Sequence, residues 1–184
     1  MEDLKRQQDA STIDNDAFRR IDLAPSDESP RVDTPQGDLY LRFGLSGEEQ
    51  FAFAATSVVE VVEILPEQIT PMPNISSLLL GTFNLRGEII WILDLRQLYG
   101  QAVTDLVGSC AVIVIQEGEG VLGLAVQAIQ GMAWIDADQI KDNSHESLEE
   151  GLAQHVQGKF YTEERPVILL ASSSIVNAKQ WAAA

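Results

Sequence analysis

Cysteine is almost absent from this sequence, which holds a single one, Cys110. A lone cysteine can form no disulfide within the chain, which excludes the disulfide-rich class of secreted proteins. No uninterrupted apolar run approaches the roughly 18 residues that a membrane-spanning helix needs. The N-terminal sequence MEDLKRQQDASTIDND also lacks the apolar stretch of a signal peptide. We therefore expect a cytosolic protein.

Basic residues are scarce as well. The chain has 12 Lys and Arg against 28 Asp and Glu, which gives a net charge of −16. The first 37 residues hold nine acidic and five basic side chains, and the remaining 147 hold nineteen and seven. A nucleic-acid backbone or an anionic membrane surface would be repelled by such a chain. We expect neither nucleic-acid binding nor membrane docking.

Residues 1–37 have no sustained hydrophobic periodicity and are rich in Asp, Ser, Pro and Gln. This composition is typical of a solvated tail that cannot bury enough apolar surface to fold. From Asp38 onward the pattern changes to short apolar runs divided by turn residues. The sequence thus predicts an acidic, disordered tail over 1–37 and one folded domain over 38–184.

Closely spaced short apolar runs with glycine-containing turns between them predict small β-barrels rather than a doubly wound sheet. LYLRFGL and QFAFA predict a hairpin around Ser46-Gly47-Glu48, and EIIWILDL predicts a strand buried on both faces. The sequence shows no recognisable internal repeat. Further strands are predicted for SCAVIVIQ, VLGLAVQ, GMAWID, VQGKFYT and RPVILL.

The segment TSVVEVVEIL is predicted to form a short helix. Its polar residues Ser57, Glu60 and Glu63 recur at every third position, which would keep them on one side of a helix. Ser57 followed by Glu60 also fits a capping box.

Two further short helices are predicted on either side of the later strands. Asn74 is expected to cap a helix over ISSLLL that ends at Gly81. Ser172-Ser173-Ser174 is expected to cap a final helix that runs through Trp181.

Several patterns that resemble ligand-binding motifs are better explained as ordinary structure. Residues 118–123 match G-x-G-x-x-G, but a strand is predicted after them, not the helix that would hold a pyrophosphate, so we expect a hairpin turn. His145 and His155 have neither the spacing nor the third ligand of a metal site. Cys110 lacks a basic neighbour that would lower its pKa and is expected in the core. We therefore predict no catalytic residues, no cofactor and no metal.

Arginine is unusually concentrated in GTFNLRGEIIWILDLRQLYG, which holds two of the four arginines found from residue 38 onward. The NLRG segment predicts a turn before the buried strand, with Gly87 at positive φ and Asn84 bonded to the local backbone. A guanidinium so close to a core needs a carboxylate. Glu63 is the candidate partner of Arg86, and a surface arginine at a hairpin is the alternative that the residues alone leave open.

The same stretch resembles CheW, the family of chemotaxis coupling proteins. NLRG, an apolar strand ending in DLR, and a V-x-E-I-like segment at Val61-Val62-Glu63-Ile64 follow the order of that family. The resemblance covers about Asp38 to Trp181. It implies a mostly β fold of two small, five-stranded SH3-like β-barrels that lie side by side, share a hydrophobic seam and carry a few short helices.

The resemblance also implies a function. Proteins of this family are non-catalytic scaffolds that link the cytoplasmic tips of methyl-accepting receptors to a CheA-type histidine kinase, whose last domain has the same fold. It further implies an ion pair between Arg86 and Glu63. The positions that it ties to receptor contact, or to the geometry behind that contact, are Val61, Glu63, Gly81, Asn84, Arg86 and Gly87.

The sequence departs from the family pattern in two places. Trp91 stands where proline or valine is usual, and the acidic tail is longer than a minimal member needs. Similar variants occur in pilus-based motility and phototaxis, so the receptor and its stimulus stay open. The competing function is a small-molecule-binding β-barrel sensor or an enzyme subunit. That function needs a deep pocket with convergent polar groups, and the sequence offers no such cluster.

Overall fold

The computed structural model describes residues 36–45, 47–101, 108–141, 150–162 and 165–178. Within these ranges, ten strands form two five-stranded sheets, and the helical segments are only three to five residues long. The predicted mostly β fold with a few short helices is thereby confirmed. Nearly all of the predicted tail, together with His145 and Trp181, lies outside the described residues.

The elements follow one another with short connections. The helices are α1 (Leu95–Leu98), α2 (Glu150–Ala153) and α3 (Ser172–Val176), and single 3₁₀ turns cover Ala55–Ser57, Pro66–Gln68 and Ala137–Gln139. The strands are β1 (Asp38–Gly44), β2 (Gln50–Ala54), β3 (Val58–Ile64), β4 (Leu79–Leu85), β5 (Glu88–Asp94), β6 (Cys110–Glu117), β7 (Gly120–Val126), β8 (Ala128–Ile135), β9 (Val156–Thr162) and β10 (Arg165–Leu170).

Each sheet closes on itself as a small barrel. Barrel 1 has the strand order β8-β1-β2-β10-β9, and barrel 2 has the order β3-β6-β7-β5-β4. In barrel 1, Lys141, just after β8, bridges to Lys159 of β9 at the far edge. In barrel 2, Thr70, just after β3, bridges in the same way to Thr82 of β4. The two edges of each sheet are therefore brought together by equivalent connections.

Apart from the 3₁₀ turn at Ala55–Ser57 and helix α2, the chain runs through one series of elements twice: a hairpin, a single strand, a 3₁₀ turn, a second hairpin and a short helix. The first series extends from β1 to α1, and the second from β6 to α3. The single strand of each series joins the hairpin that opens the other, since β3 pairs with β6 and β8 pairs with β1. Each barrel thus contains strands from both halves of the chain. The duplicated series of elements is visible in the strand topology but not as a repeat in the amino-acid sequence.

A hydrophobic seam joins the two barrels, as the family resemblance implied. Alternate residues of the central strands face the interior of their own barrel and the opposite barrel, so these strands are buried on both faces. The seam is rich in aromatic contacts, with the rings of Phe43 and Phe53 only 5.1 Å apart. Its fully buried members include Phe43, Phe51, Phe53, Leu93, Ile113, Ile115 and Leu124.

The predicted helix in TSVVEVVEIL is wrong, because residues 58–64 form strand β3. Ser57 does not cap a helix, and its hydroxyl donates to the carbonyl of Ala54 at 2.9 Å. Four β-branched valines favour the extended chain, and pairing with β6 completes the strand. The three-residue polar period arises because Ser57 precedes the strand, whereas Glu60 and Glu63 lie on its opposite faces.

The predicted helix over ISSLLL is also wrong. Its last residues begin strand β4, which pairs with β5, and Gly81 lies inside that strand. Asn74 adopts a φ of 58° in a turn and caps no helix. So short a segment cannot offset the cost of starting a helix, whereas β5 supplies a ready template for pairing.

The remaining strand predictions are largely correct. The β1–β2 hairpin, the β6–β7 turn at Gly118 and the later strands are all present. Cys110 is buried, as expected. The final helix starts at Ser172, but its N-cap is Ala171 instead of the predicted serines. Strand β5 is buried on both faces only in its second half, since Ile89 and Trp91 are exposed.

Candidate docking surface

The NLRG segment forms the tight turn between β4 and β5. Arg86 and Gly87 both have positive φ, 52° and 98°, which is the backbone pattern of a type I′ hairpin turn. The side-chain oxygen of Asn84 accepts the N–H of Gly87 at 2.7 Å. The predicted roles of Gly87 and Asn84 in the local backbone are therefore present, although the element before the turn is a strand.

Arg86 pairs with Glu60 and not with Glu63. Its Nη2 lies 2.7 Å from Oε2 of Glu60, and the Arg86 side chain is 80% exposed. Glu60 points toward the end of barrel 2, beneath the turn, whereas Glu63 is on the outward face of β3. The predicted partner was wrong because it was chosen from a helical face, and residues three apart on a strand point in opposite directions.

Glu63 has a different contact. Its Oε1 accepts a hydrogen bond from the hydroxyl of Ser109, which directly precedes β6. Val59 and Val61 stand beside it on the same outward face and are 53% and 42% exposed. Val61 and Glu63 therefore belong to one exposed face of β3, while Arg86 stands at the end of the barrel.

Gly81 shapes the backbone near this face without contributing a side chain. Its φ is 141°, and a Cβ at this position would lie 2.3 Å from the carbonyl oxygen of Thr70. Thr70 pairs with Thr82 through two backbone hydrogen bonds of 2.8 and 2.9 Å. The glycine thus permits the close approach that closes barrel 2 between β3 and β4.

A shallow cleft of about 270 Å³ opens at the end of barrel 2. Its apolar wall is formed partly by Val114 and Val121, and its polar rim by Arg86, Glu60 and Glu88. The cleft is open to solvent, unlike the deep, enclosed, polar-lined site that a small-molecule sensor or enzyme would use.

Exposed large apolar side chains occur in pairs on three strands of the two barrels, and β9 carries a single one, Tyr161. Beside the pair on β3, strand β5 carries Ile89 at 65% and Trp91 at 39% exposure, and β8 carries Met132 at 47% and Trp134 at 50%. Strand β8 also contacts β6, the neighbour of β3, so the exposed residues of β3 and β8 lie close to the join between the barrels. Sequence reasoning missed the pair on β8, because GMAWI is a continuous apolar run like that of a strand covered on both faces.

The DLR part of the motif is a structural ion pair. Asp94 is 1% exposed, and it accepts from Nε and Nη2 of Arg96 at 2.8 Å each and from the backbone N–H of Arg96. The hydrogen bond to Asp94 raises the pKa of Arg96. This arrangement caps α1 and fixes the end of β5.

Two other buried titratable groups, Cys110 and His155, have pKa values shifted in favour of their neutral forms. Burial raises the pKa of the Cys110 thiol and lowers the pKa of His155, whose Nδ1 lies 2.7 Å from the hydroxyl of Ser174. Within the described ranges, no three His, Cys, Asp or Glu side chains come together in a way that could hold a metal ion. No helix among the described residues is long and apolar enough to cross a membrane.

A family profile described as "CheW-like domain" matches residues 39–180. The chain belongs to the CheW-like domain family. This confirms the identification made from the NLRG and DLR motifs, and with it the expected scaffold function of a CheW-type protein in chemotaxis-like signal transduction.

Named relatives agree with the family profile. The chain is 27% identical to the chemotaxis protein CheW of Klebsiella aerogenes over 147 residues, which is 79% of this chain and 86% of that one. It is 28% identical to a probable chemotaxis protein CheW of Rhizobium etli, over 81% of this chain and 94% of the other. It is also 27% identical to the protein PilI of Pseudomonas aeruginosa, over 61% and 63% of the two chains.

The crystal structure of the scaffolding protein TtCheW from Thermoanaerobacter tengcongensis has the same fold. The TM-score is 0.68 at 23% sequence identity, and the match covers 79% of this chain and 96% of TtCheW. The two proteins therefore share the CheW-like arrangement of two barrels. The likeness concerns the fold and does not extend to the exposed residues described above.

Proposed function

We propose that this protein couples a methyl-accepting receptor to a CheA-type histidine kinase in the cytosol, as a scaffold without catalysis or cofactor. The observation that carries the proposal is the set of exposed apolar side chains on β3, β5 and β8. These strands belong to a CheW-like fold, and the cleft at the end of barrel 2 is shallow and open. Apolar side chains grouped on a rigid sheet are typical of a surface that docks another protein.

The receptor is assigned to the outward faces of β3 and β8. Val61 and Met132 occupy corresponding positions, since each pairs with a seam residue of the neighbouring strand, Ile113 for Val61 and Leu41 for Met132. A helical receptor tip that lies along the join between the barrels would bury apolar side chains from both strands. Glu63 would fix the register of that helix from the edge of the surface.

The kinase is assigned to β5. Ile89 and Trp91 lie on its outward face, in the half that barrel 1 leaves uncovered. The last domain of a CheA-type kinase has the same fold, so it presents sheet faces of the same kind and can pack against this one. Gly81, Asn84, Arg86 and Gly87 support this hairpin and do not themselves form the apolar contact.

The test uses the cytoplasmic tip of the receptor and the last domain of the kinase. Both are encoded in the same genome as this chain and are expressed and purified for the experiment. We expect Val61→Asp and Met132→Asp to weaken receptor binding at least about tenfold, on the scale of a lost interface anchor. Both variants should leave kinase binding unchanged, and Ile89→Asp should show the reverse pattern. Met72→Asp is the matched control, because Met72 is 43% exposed and lies on none of these strands. Equal losses for both partners with every variant would contradict the assignment of separate surfaces.

The proposed absence of catalysis has its own test. Purified protein should show no saturable binding of ATP or zinc at micromolar concentration, as measured by calorimetry after removal of bound metal. Stoichiometric binding of either would contradict a pure scaffold.

A further inference from the structure

Both strands assigned to the receptor carry a β-bulge at the corresponding position. In β3 the register shifts between Val58 and Glu60, so that Val59 is the extra residue. In β8 the register shifts opposite Arg42 and Phe43, so that Gln130 is the extra residue. A bulge bends its strand and redirects the side chains that follow it. The exposed residues Val61 and Met132 come directly after these bulges.

An arginine side chain forms a hydrogen bond at each bulge. In barrel 2, Arg86 bonds the side chain of Glu60 at 2.7 Å. In barrel 1, Arg42 of β1 donates through Nη2 to the carbonyl oxygen of Gln130, at 3.3 Å. Its Nη1 donates to the hydroxyl of Thr162 on β9, also at 3.3 Å. Arg42 therefore spans the two edge strands of barrel 1 and holds one of them at its bulge.

The polar surroundings of Arg42 are not optimised for stability. Its Nε is buried and makes no hydrogen bond, and the side-chain oxygen of Gln50 on the neighbouring strand is in the same condition. An unsatisfied buried donor costs stability. The buried Nε of Arg42 therefore lowers the stability of barrel 1. Replacement of Arg42 by a smaller polar residue should leave the fold intact.

We propose that Arg42 is a positioning residue that fixes the bulge of β8 and so sets the exposed face formed by Met132 and Trp134. In barrel 2, Arg86 contacts the corresponding bulge from a different element, the β4–β5 turn, through the side chain of Glu60. The docking consequence rests on the receptor assignment made above, whereas the effect on β8 does not. Arg42 itself makes no contact with the partner in this proposal.

The first experiment follows β8 directly. In a Trp91→Phe, Trp181→Phe background, Trp134 is the sole tryptophan, and its emission maximum and acrylamide quenching report on the exposed face of β8. We expect Arg42→Gln to change both, and to accelerate backbone amide exchange over residues 128–135 by about 3–10-fold, as for a local opening. Arg42→Lys, which keeps a cationic donor, should restore part of the difference.

Two controls separate positioning from a general loss of stability. Arg165→Gln removes an exposed arginine at the start of β10 and should leave Trp134 and the exchange of β8 unchanged. Arg86→Gln should accelerate exchange in β3 and not in β8. If Arg42→Gln fails to fold, Thr162→Val removes one acceptor of the guanidinium and should give a smaller change in the same direction.

The proposal is overturned if Arg42→Gln leaves Trp134 and β8 as in the parent protein, or if exchange rises equally in all strands. Receptor binding is measured on the same variants and should weaken by the same factor of about 3–10. A changed β8 with unchanged receptor binding would support the role of Arg42 and count against the receptor assignment, so the two failures are distinguishable.

Discussion

Arg86 and Glu60 form an ion pair of 2.7 Å across the open end of barrel 2, between the β4–β5 turn and the face of β3 that points into the barrel. The arginine is largely exposed, so solvent screens the pair, and its contribution should be that of a surface salt bridge, about 0–1 kcal/mol. Its main effect is to hold the turn against β3.

The first prediction is a double-mutant cycle on this pair. Arg86→Ala and Glu60→Ala should each lower the free energy of unfolding by less than about 1 kcal/mol. Their effects should be less than additive, because the second change removes a charge that has already lost its partner. The cycle is measured by urea denaturation. Arg86→Ala with Glu63→Ala is the control cycle and should be additive, and coupling there would mean that Arg86 reaches Glu63.

The second prediction concerns Gly81. Gly81→Ala should lower stability by roughly 2–4 kcal/mol, because it combines a positive φ with a Cβ driven into the carbonyl of Thr70. Gly87→Ala is the matched control. Gly87 also has a positive φ, but a Cβ there would have no atom within 4 Å, so its loss should stay near 1 kcal/mol. Similar losses for both glycines in chemical denaturation would show that the contact with Thr70 does not matter.

The third prediction is a pH dependence that originates at His155. Burial lowers its pKa in the folded state below the unfolded value of about 6.5, so the unfolded chain binds a proton first as the pH falls. The stability linked to this group is complete above pH 6.5 and declines as the pH falls from there toward the folded pKa. We therefore expect the free energy of unfolding to decrease as the pH is lowered from 7.5 to 5.5.

His155→Gln should remove this part of the pH dependence, as measured by denaturation at a series of pH values. The control is His145→Gln, at the other of the two histidines in the chain. It should leave the slope unchanged. A slope that survives in His155→Gln would assign the effect to carboxylates instead.

The fourth prediction concerns the proposed acidic tail. Its composition cannot offset the entropy of ordering, so deletion of residues 1–35 should leave the melting temperature within about 3 °C. Differential scanning calorimetry of the two chains checks this. A clearly larger drop would show that the segment contributes to folding.

Structure that depends on neighbouring residues could be predicted from the sequence. Pairing between strands that are far apart in the chain could not. The turn at residues 84–87 depends on neighbouring residues, so the positive φ of Gly87 and the backbone hydrogen bond of Asn84 were predicted correctly. The positive φ of Arg86 and the strand before the turn were not predicted. Strand β3 was misread because a polar period of three fits a helix, while the partner that makes it a strand, β6, lies about fifty residues later. The wrong partner for Arg86 followed directly from that error.

Exposure was the second quantity that the sequence could not supply. VLGLAV and GMAWID are both apolar, but β7 lies under the seam while β8 stands at a sheet edge with Met132 and Trp134 in solvent. The difference depends on which face the other barrel covers, and that is a property of the assembled fold. Half of the proposed receptor surface was missed for this reason.

Each half of the chain contributes its opening hairpin to the barrel formed mainly by the other half, and this has a mechanical consequence. A cut in the connection between α1 and β6 would not release two domains, because each fragment would lack strands that the other holds. The two fragments should instead recover the fold only when mixed. A force applied by one partner at β3 is also transmitted along the chain to the β1–β2 hairpin of the opposite barrel, through a connection of only three residues. Because both barrels contain strands from both halves of the chain, we expect that neither barrel can be separated from the other without unfolding it.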